Sequence, residues 1–540
     1  MSFTAVNLAA LNLSANLPND AVDVIVVGSG AAGSAMAALL AEGGKRVLIL
    51  EAGPATTQAN MVSSPLYARR LKWSGTPVIE EGKTPISHVF NSGYGIGGSA
   101  AHHYGVWPRL HVEDFEMQTR YKRGLNWPIK YTDLAPYYDR VQVEAGVSGD
   151  AKLEIWRPPG EPYPMPPAKV FEQGQVLARG FEKLGKTVAP LPLAVTSVPY
   201  KDRPACLWDG WCDAGCPIGA LANPLTVHLP RAYAKGATLV ADAVVTRVLT
   251  DATGERATGV EVVTLDGARR TLKAALVVLA TFSIENPRLL LASATDKHPQ
   301  GLGNRTGFVG RYVMTHMAGV VSGIFDEETR YYMGALGGQL VNQDSYPKLT
   351  HEKSGAFGSY QWIIAQAVKP NDLLGVAMSR AGLYGAELQG FMKRATRGFA
   401  TMTAVCEGIP VADNRVTLAD TKDKYGVPQA RVTHTAHAES AALWQASVTE
   451  GKAVITAAGS SEVWNNPAGS MHIMGGTVMG NKPADSVTNS FGQVHDIANL
   501  VLAGPGLFPT SGGVNPTFTV HAVTARSAEH LLANWNKIAA

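Results

Sequence analysis

Three glycines stand at a spacing suited to holding phosphate. In VDVIVVGSGAAGSAMAALLAEGGKRVLILEAGP, beginning at Val22, Gly28, Gly30 and Gly33 fall at G-x-G-x-x-G intervals, and Glu51 closes the second apolar run. The first glycine of such a set permits a tight turn, the second lets backbone N–H groups approach a pyrophosphate, and the third lets helix and strand pack closely. The pyrophosphate of a dinucleotide then lies at the positive end of the helix, and Glu51 is placed to accept from a ribose hydroxyl. The spacing by itself does not separate FAD from NAD.

Two further residues carry side chains suited to acid–base work. His472 lies in NNPAGSMHIMGGTVMG between Met471 and Ile473, where a single histidine also reads as a packed structural residue. Asn515 precedes Pro516 and Thr517, and TFTVHAVTARSAEHLL reads as a helix behind them. Asn is a favoured cap and Pro a favoured first helical residue. A helix start aimed at a flavin ring would favour negative charge gathering there, and the segment also reads as a well-capped surface helix. Cys206, Cys212 and Cys216 share one loop while Cys406 stands alone, which is not a disulfide framework.

The elements that must position these residues can be followed along the chain. Val24 to Val27 form the continuous apolar run of a buried parallel strand, AAGSAMAALLAEG a helix of small residues, and RVLIL a second strand. A second glycine-rich segment, VFNSGYGIGGSAAHHYGVWPR, holds Gly97, Gly98, Ser99, His102 and His103. WRPPGEPYPMPP breaks regular structure. ATLVADAVVTRVLTD, which contains Val245, and ATGVEVVTLDG are β-rich and lead into RTLKAALVVLATFSIENPRLLLAS, a buried strand running into a helix. Stretches such as GSYQWIIAQAV predict an antiparallel sheet. The expected fold is α/β, α+β overall: a Rossmann-like dinucleotide-binding domain from residues 21–110, 200–310 and 456–540, with a substrate domain containing an antiparallel sheet at 311–455. Residues 1–20 are expected to be a flexible arm, and 111–199 an excursion with linker and lid elements.

The chain has 540 residues, 46% of them hydrophobic and 17% charged, with a net charge of +3. That describes an ordinary globular protein of two or more lobes. No block of basic residues implies a nucleic acid partner. No stretch reaches the roughly twenty apolar residues of a membrane span. The first basic residue is Lys45, so no positively charged leader is expected; the expectation is a cytoplasmic protein or one exported with a partner subunit.

Taken in order, GSGAAG…LILEAGP, GYGIGGSAAHHYGVWPR, LVVLATFSIENPRLLL, MHIMGGTVMG and LFPTSGGVNPTFTVHA are similar to the glucose–methanol–choline (GMC) oxidoreductases, FAD enzymes that oxidise alcohols. The resemblance is weak from about 311 to 400. It implies hydride transfer from an alcohol carbon to flavin N5, neutral His472 taking the hydroxyl proton and Asn515 orienting the oxygen. It places cofactor contacts at Gly28, Gly30, Gly33, Glu51, Gly97, Gly98, Ser99, His102, Val245, Pro516 and Thr517. His102 aligns with the covalent attachment point of the pyranose oxidase branch, but Ala101 and His103 replace that branch's Thr and Trp, so non-covalent FAD is expected. Thr281-Phe282 departs from the family's usual Ala-Gly. The cysteine loop resembles that of bacterial sugar dehydrogenase large subunits, which implies an iron–sulfur cluster on Cys206, Cys212 and Cys216, a small subunit, and a cytochrome or quinone acceptor. This spacing is not a common ferredoxin pattern, zinc would want a fourth ligand, and reduced buried thiols are the alternative. An oxidase of the pyranose or aromatic-alcohol type and a non-catalytic flavin-binding subunit remain open beside a dehydrogenase of sugars, polyols or related alcohols. A nicotinamide enzyme lacks a second glycine-turn unit. Tyr331, Tyr332, Trp362 and Glu407 read either as pocket lining or as core.

Overall fold

The computed structural model describes residues 17, 18, 20–380 and 382–539; the expected arm at 1–20 lies almost wholly outside them. The strand Val22–Val27, the helix Ala31–Glu42 and the strand Val47–Leu50 form the first unit. Val22–Val27 pairs in parallel with Val47–Leu50 on one side and with the second half of Arg269–Leu279 on the other. Thr238–Val240 and Leu500–Leu502 extend this layer at its two edges, also in parallel. Val24, Ile25 and Val26 are fully buried, as a strand covered on both faces requires. The first half of Arg269–Leu279 carries an antiparallel extension through Ala257–Val263 and Val244–Thr250. Helices Ala31–Glu42 and Thr517–Ala533 pack against each other, bringing the chain's end onto its first helix.

A second sheet is antiparallel. Its order is Glu462–Asn465, Met314–Ile324, Phe399–Cys406, Tyr360–Ile364, Leu340–Asn342 and Ala189–Pro190. Met314–Ile324 is long enough to pair twice along one edge, with Glu462–Asn465 near its end and with Gly469–Met474 near its start. The strand bearing His472 is therefore hydrogen-bonded into the antiparallel sheet, although its residues fall within the 456–540 stretch expected in the dinucleotide-binding domain. Ala189–Pro190, from the 111–199 excursion, joins the same sheet. Helix Ala438–Ala457 covers the outer face, where Trp362 Nε1 donates to Glu450 at 2.9 Å and Trp444 Nε1 to the Ala318 carbonyl at 2.9 Å.

The two halves meet around a fully buried ionic cluster. Lys348 Nζ donates to Asp114 Oδ1 at 2.6 Å and to Glu407 Oε2 at 2.8 Å, and none of the three side chains is exposed. Burial alone would depress the lysine, but the two carboxylates hold its pKa above the ordinary value. Burial raises Glu407, with Lys348 opposing. Tyr346 donates to Asp114 Oδ2 at 2.7 Å and accepts from the Gly513 N–H at 3.1 Å, tying the cluster to the loop before Asn515. Removing the ammonium would leave two buried carboxylates facing each other, which costs about 3–5 kcal/mol. Lys348→Met is expected to lower stability by that amount, read as a clear fall in thermal midpoint; an unchanged midpoint would exclude a structural role for the cluster.

Candidate active site

A cavity of 740 Å³ is lined by residues of both sheets, within the ~300–1,000 Å³ of small-molecule and cofactor sites. Val27, Leu50, Ala280 and Ala503 line it at the carboxyl ends of four parallel strands, where ligands of such sheets bind. The three glycines divide their tasks. Gly28 has φ +97°, and a Cβ there would lie 2.6 Å from the Ala280 carbonyl oxygen; one on Gly33 would lie 2.0 Å from that of Gly28. At Gly30 the nearest atom would be 3.9 Å away, so its side faces open space. Gly28, Gly30, Gly98, Ser99, Val245, Pro516 and Thr517 line the cavity, whereas Gly33 and Gly97 do not and act through packing.

Glu51 also lines the cavity. Its Oε2 accepts from Ser29 N at 3.0 Å and Ser29 Oγ at 2.7 Å, and its Oε1 from Gly53 N at 3.0 Å. Burial raises its pKa while these bonds oppose the shift. A carboxylate has about four acceptor positions, so one remains for a further donor. The adjacent histidines part company. His103 is held by the backbone at both nitrogens, Nε2 against Ala222 O at 2.8 Å and Nδ1 against Gly105 N at 3.2 Å. His102 Nδ1 accepts from Lys72 Nζ at 3.1 Å, and its buried Nε2 has no protein partner. Burial first, then Lys72, pushes His102 down to about 3. Phe282 occupies φ +82° on the cavity wall, a conformation that costs a bulky side chain on the order of 1–3 kcal/mol.

At the other end of the cavity the chain brings His472 and Asn515 together. The ladder between Gly469–Met474 and Met314–Ile324 shifts register after Met471, and His472 takes φ +59°. Such irregularities re-aim a side chain. His472 Nε2 lies 3.1 Å from Asn515 Nδ2, and its Nδ1 lies 2.9 Å from His316 Nδ1. His316 Nε2 is in turn 2.8 Å from the Gly512 carbonyl oxygen. Asn515 Oδ1 accepts from Gln361 Nε2 at 2.8 Å. Burial, then His316, holds His472 well below the ordinary histidine pKa, so it is neutral at pH 7. The helix after Pro516 has no side-chain cap, because the Asn515 carboxamide is spent on His472 and Gln361. His316 and Gln361 carry no sequence signal: both sit on strands of the substrate sheet, far from His472 and Asn515 along the chain.

The wall contributed by the antiparallel sheet follows strand alternation. Val320 and Ser322 face the cavity beside their cross-strand partners Thr403 and Thr401, with Ile363 next in line. Ser322 donates to Thr401 Oγ1 at 3.0 Å, and Thr403 bonds to Gln366. The charged lining residues, Glu51, Lys72, Glu285, Arg288 and Asp423, all come from other elements. Tyr331, Tyr332, Trp362 and Glu407 do not line the cavity; Trp362 faces the covering helix and Glu407 the ionic cluster.

The cysteine loop does not form the donor set expected of it. Cys206 Sγ accepts from Trp208 N and Cys216 Sγ from Leu221 N, each at 3.3 Å, and Cys212 and Cys216 pack in an apolar cluster with Leu193 and Leu221. Burial pushes the Cys206 thiol up to about 12 and raises the other two. Among the described residues, no group of three or more His, Cys, Asp or Glu side chains is arranged to hold a metal ion. The iron–sulfur cluster expected on Cys206, Cys212 and Cys216 finds no support in this arrangement.

The two GMC oxidoreductase family models, N-terminal and C-terminal, match residues 22–318 and 410–524. This chain belongs to the GMC oxidoreductases. It is an FAD flavoprotein of that family's α/β fold. It is 31% identical to a 2-methyl-1,2-propanediol dehydrogenase of Mycolicibacterium austroafricanum over 96% of each chain. It is 30% identical to the fructose dehydrogenase large subunit of Gluconobacter japonicus, covering 94% of this chain and 97% of that one. Among solved structures, pyridoxine 4-oxidase from Mesorbium loti shares the fold, with a TM-score of 0.66 at 16% identity, covering 94% of this chain and 99% of that one. Residues 319–409, between the two matched stretches, supply Val320, Ser322, Ile363, Thr401 and Thr403 to the cavity.

The glycine geometry separates binding from folding. Gly30→Val is expected to fold with a near-normal thermal midpoint yet retain little flavin, because the added carbons enter the cavity. Gly33→Val is expected not to accumulate as folded protein, since its Cβ would meet the Gly28 carbonyl. Flavin absorbance per folded chain distinguishes them, and full flavin content in Gly30→Val would contradict the assignment of the turn.

Proposed function

We propose that this GMC oxidoreductase oxidises a hydroxyl-bearing carbon of a small, uncharged diol, polyol or sugar, with His472 as base and Asn515 as donor to the hydroxyl oxygen. The observation that carries this reading is the 3.1 Å approach of His472 Nε2 to Asn515 Nδ2 on the cavity that also contains the glycine turn. FAD, when bound, supplies the two-electron acceptor that takes the carbon's hydrogen as hydride. The turn at Gly28 and Gly30 with the helix start behind it would hold the pyrophosphate, and Glu51 the ribose. Gly98, Ser99, His102, Val245, Pro516 and Thr517 would line the remainder of the cofactor. Asn515 would donate to the substrate oxygen while neutral His472 Nε2 accepts the hydroxyl proton, displacing the bond between the two side chains. A positioned base of this kind is worth about 10²–10⁴-fold.

Two features support a small neutral substrate. The antiparallel-sheet wall of the cavity offers hydroxyls at Ser322, Thr401 and Thr403 among apolar neighbours and no charged side chain. The 740 Å³ must also take the dinucleotide, which leaves limited room. An anionic group held against this wall would lie unpaired, and burying an unpaired charge is costly. Electron delivery to a separate carrier, a partner subunit or quinone, is favoured because the two relatives at 30–31% identity are dehydrogenases, whereas the paromamine 6'-oxidase of Streptomyces fradiae is 26% identical. No electron step is assigned to the cysteine loop.

The test is a panel of neutral alcohols and their acids with an artificial acceptor, oxygen uptake being followed in parallel. An alditol is expected to exceed the aldonic acid of the same carbon count by at least about 100-fold in kcat/KM; equal values would overturn the neutral-substrate reading, and rapid peroxide formation would replace the dehydrogenase with an oxidase. The pH profile follows from His472. Burial disfavours its protonated form, so the base is present at and above neutral pH and is lost only as pH falls through the depressed pKa. The acid limb of kcat/KM is therefore expected below pH 6.5; a midpoint at or above that value would contradict the assignment.

A further inference from the structure

His316 is fully buried on Met314–Ile324, the strand of the substrate sheet that pairs with Phe399–Cys406 on one side and with Gly469–Met474 on the other. Its two ring nitrogens face partners with unequal freedom. Nε2 meets the Gly512 carbonyl oxygen at 2.8 Å, and a carbonyl only accepts, so Nε2 carries a hydrogen. Burial disfavours the imidazolium and pushes His316 down to about 4, so the ring is neutral and its Nδ1 is a bare acceptor. That acceptor faces His472 Nδ1 at 2.9 Å. Two bare nitrogens would repel, so His472 carries its hydrogen on Nδ1 and its Nε2 lone pair is left toward Asn515 and the cavity.

We propose that His316 is a positioning residue which, anchored on the Gly512 carbonyl, fixes both the ring orientation of His472 and the tautomer whose Nε2 faces the substrate. This rests on the reading of His472 as the base. A base held by a third group is a general device, most often with a carboxylate in that place. A neutral imidazole performs the orienting task without adding charge to the pocket. The ionisable groups acting on His316 are His472 and, at longer range, Asp114, which is itself bonded to Lys348 and Tyr346. From the 510–515 loop it meets only backbone, at Ser511 and Gly512.

Two variants of the holoenzyme test this. His316→Asn keeps an acceptor for the His472 N–H; His316→Leu removes it at similar bulk. Flavin content, thermal midpoint and kcat/KM against pH are measured for both, with His472→Asn as control. His316→Leu is expected to lose at least about tenfold in kcat with little change in KM, and His316→Asn to recover most of that loss. The acid limb of His316→Asn is expected to move to higher pH, because the imidazole that holds His472 low is gone. In protein labelled with ¹⁵N-histidine, the ring signal that vanishes in His472→Asn is expected to show a protonated Nδ1 and a bare Nε2. Wild-type kcat and pH profile in both variants, equal loss in both, or a protonated Nε2 on His472 would each overturn the proposal. If His316→Leu fails to fold, the pH limb of His316→Asn and the ring tautomer decide. Undiminished turnover in His472→Asn would instead sink the reading of His472 as base; loss there, with both His316 variants unaffected, sinks the positioning role alone.

Discussion

A buried loop must find a partner for nearly every polar group it carries, and residues 510–515 find theirs across the joint between the two halves. Thr510 Oγ1 accepts from Trp127 Nε1 at 2.7 Å and donates to the Asp114 carbonyl at 2.8 Å. Ser511 Oγ accepts from Gly408 N at 3.0 Å. Gly512 O meets His316, Gly513 N donates to Tyr346, and Asn515 reaches Gln361 and His472. Nearly every step of the loop is thus fixed by an element outside the parallel layer, while the helix that follows packs on the first helix of that layer. This satisfaction of the loop is what lets His472 on the antiparallel sheet and a glycine turn on the parallel sheet share one cavity.

The same cavity is divided electrically. At the dinucleotide end, Arg288 bridges Glu285 at 2.8 Å and Asp423 at 2.6 Å, and further along Lys72, which burial depresses to about 8, donates to His102. At the sheet end the polar groups are hydroxyls, carboxamides and imidazoles. An imidazole in such surroundings gives up basicity, since nothing nearby favours its cation, but gains a defined protonation state over the neutral range. A carboxylate behind His472 would raise its pKa; His316 lowers it. The arrangement suits a base that must be empty before substrate arrives.

What the sequence made legible was local. The glycine turn could be read because its strand, turn, helix and second strand are contiguous, and each residue type answers a nearby steric need. His472 and Asn515 could be paired only through resemblance, since nothing in MHIMGG or VNPTF states that they meet. Asn515 beside Pro516 reads as a cap, and only the fold shows its carboxamide turned to the histidine. His316 was hidden in THMAGVVSGIF, where it looks like one more residue of an alternating strand. The placement of Glu462–Met474 escaped notice for a related reason: pairing with Met314–Ile324 is a property of register between distant segments, invisible to composition. The cysteine spacing drew attention to metal chemistry, whereas the apolar packing around Cys212 and Cys216 depends on neighbours such as Leu193 that lie outside the loop.

The central claim is that neutral His472, held beside the FAD site, removes the proton of an uncharged alcohol. The most direct measurement is anaerobic mixing of the holoprotein with a neutral polyol, following loss of the visible flavin band in the wild type and in His472→Asn. Asn tolerates the left-handed backbone that position 472 adopts, so the variant should keep its flavin and its spectrum. The account predicts prompt bleaching of the wild type and reduction slowed by about 10²–10⁴-fold in the variant. A variant of normal flavin content that bleaches as fast as the wild type would contradict it.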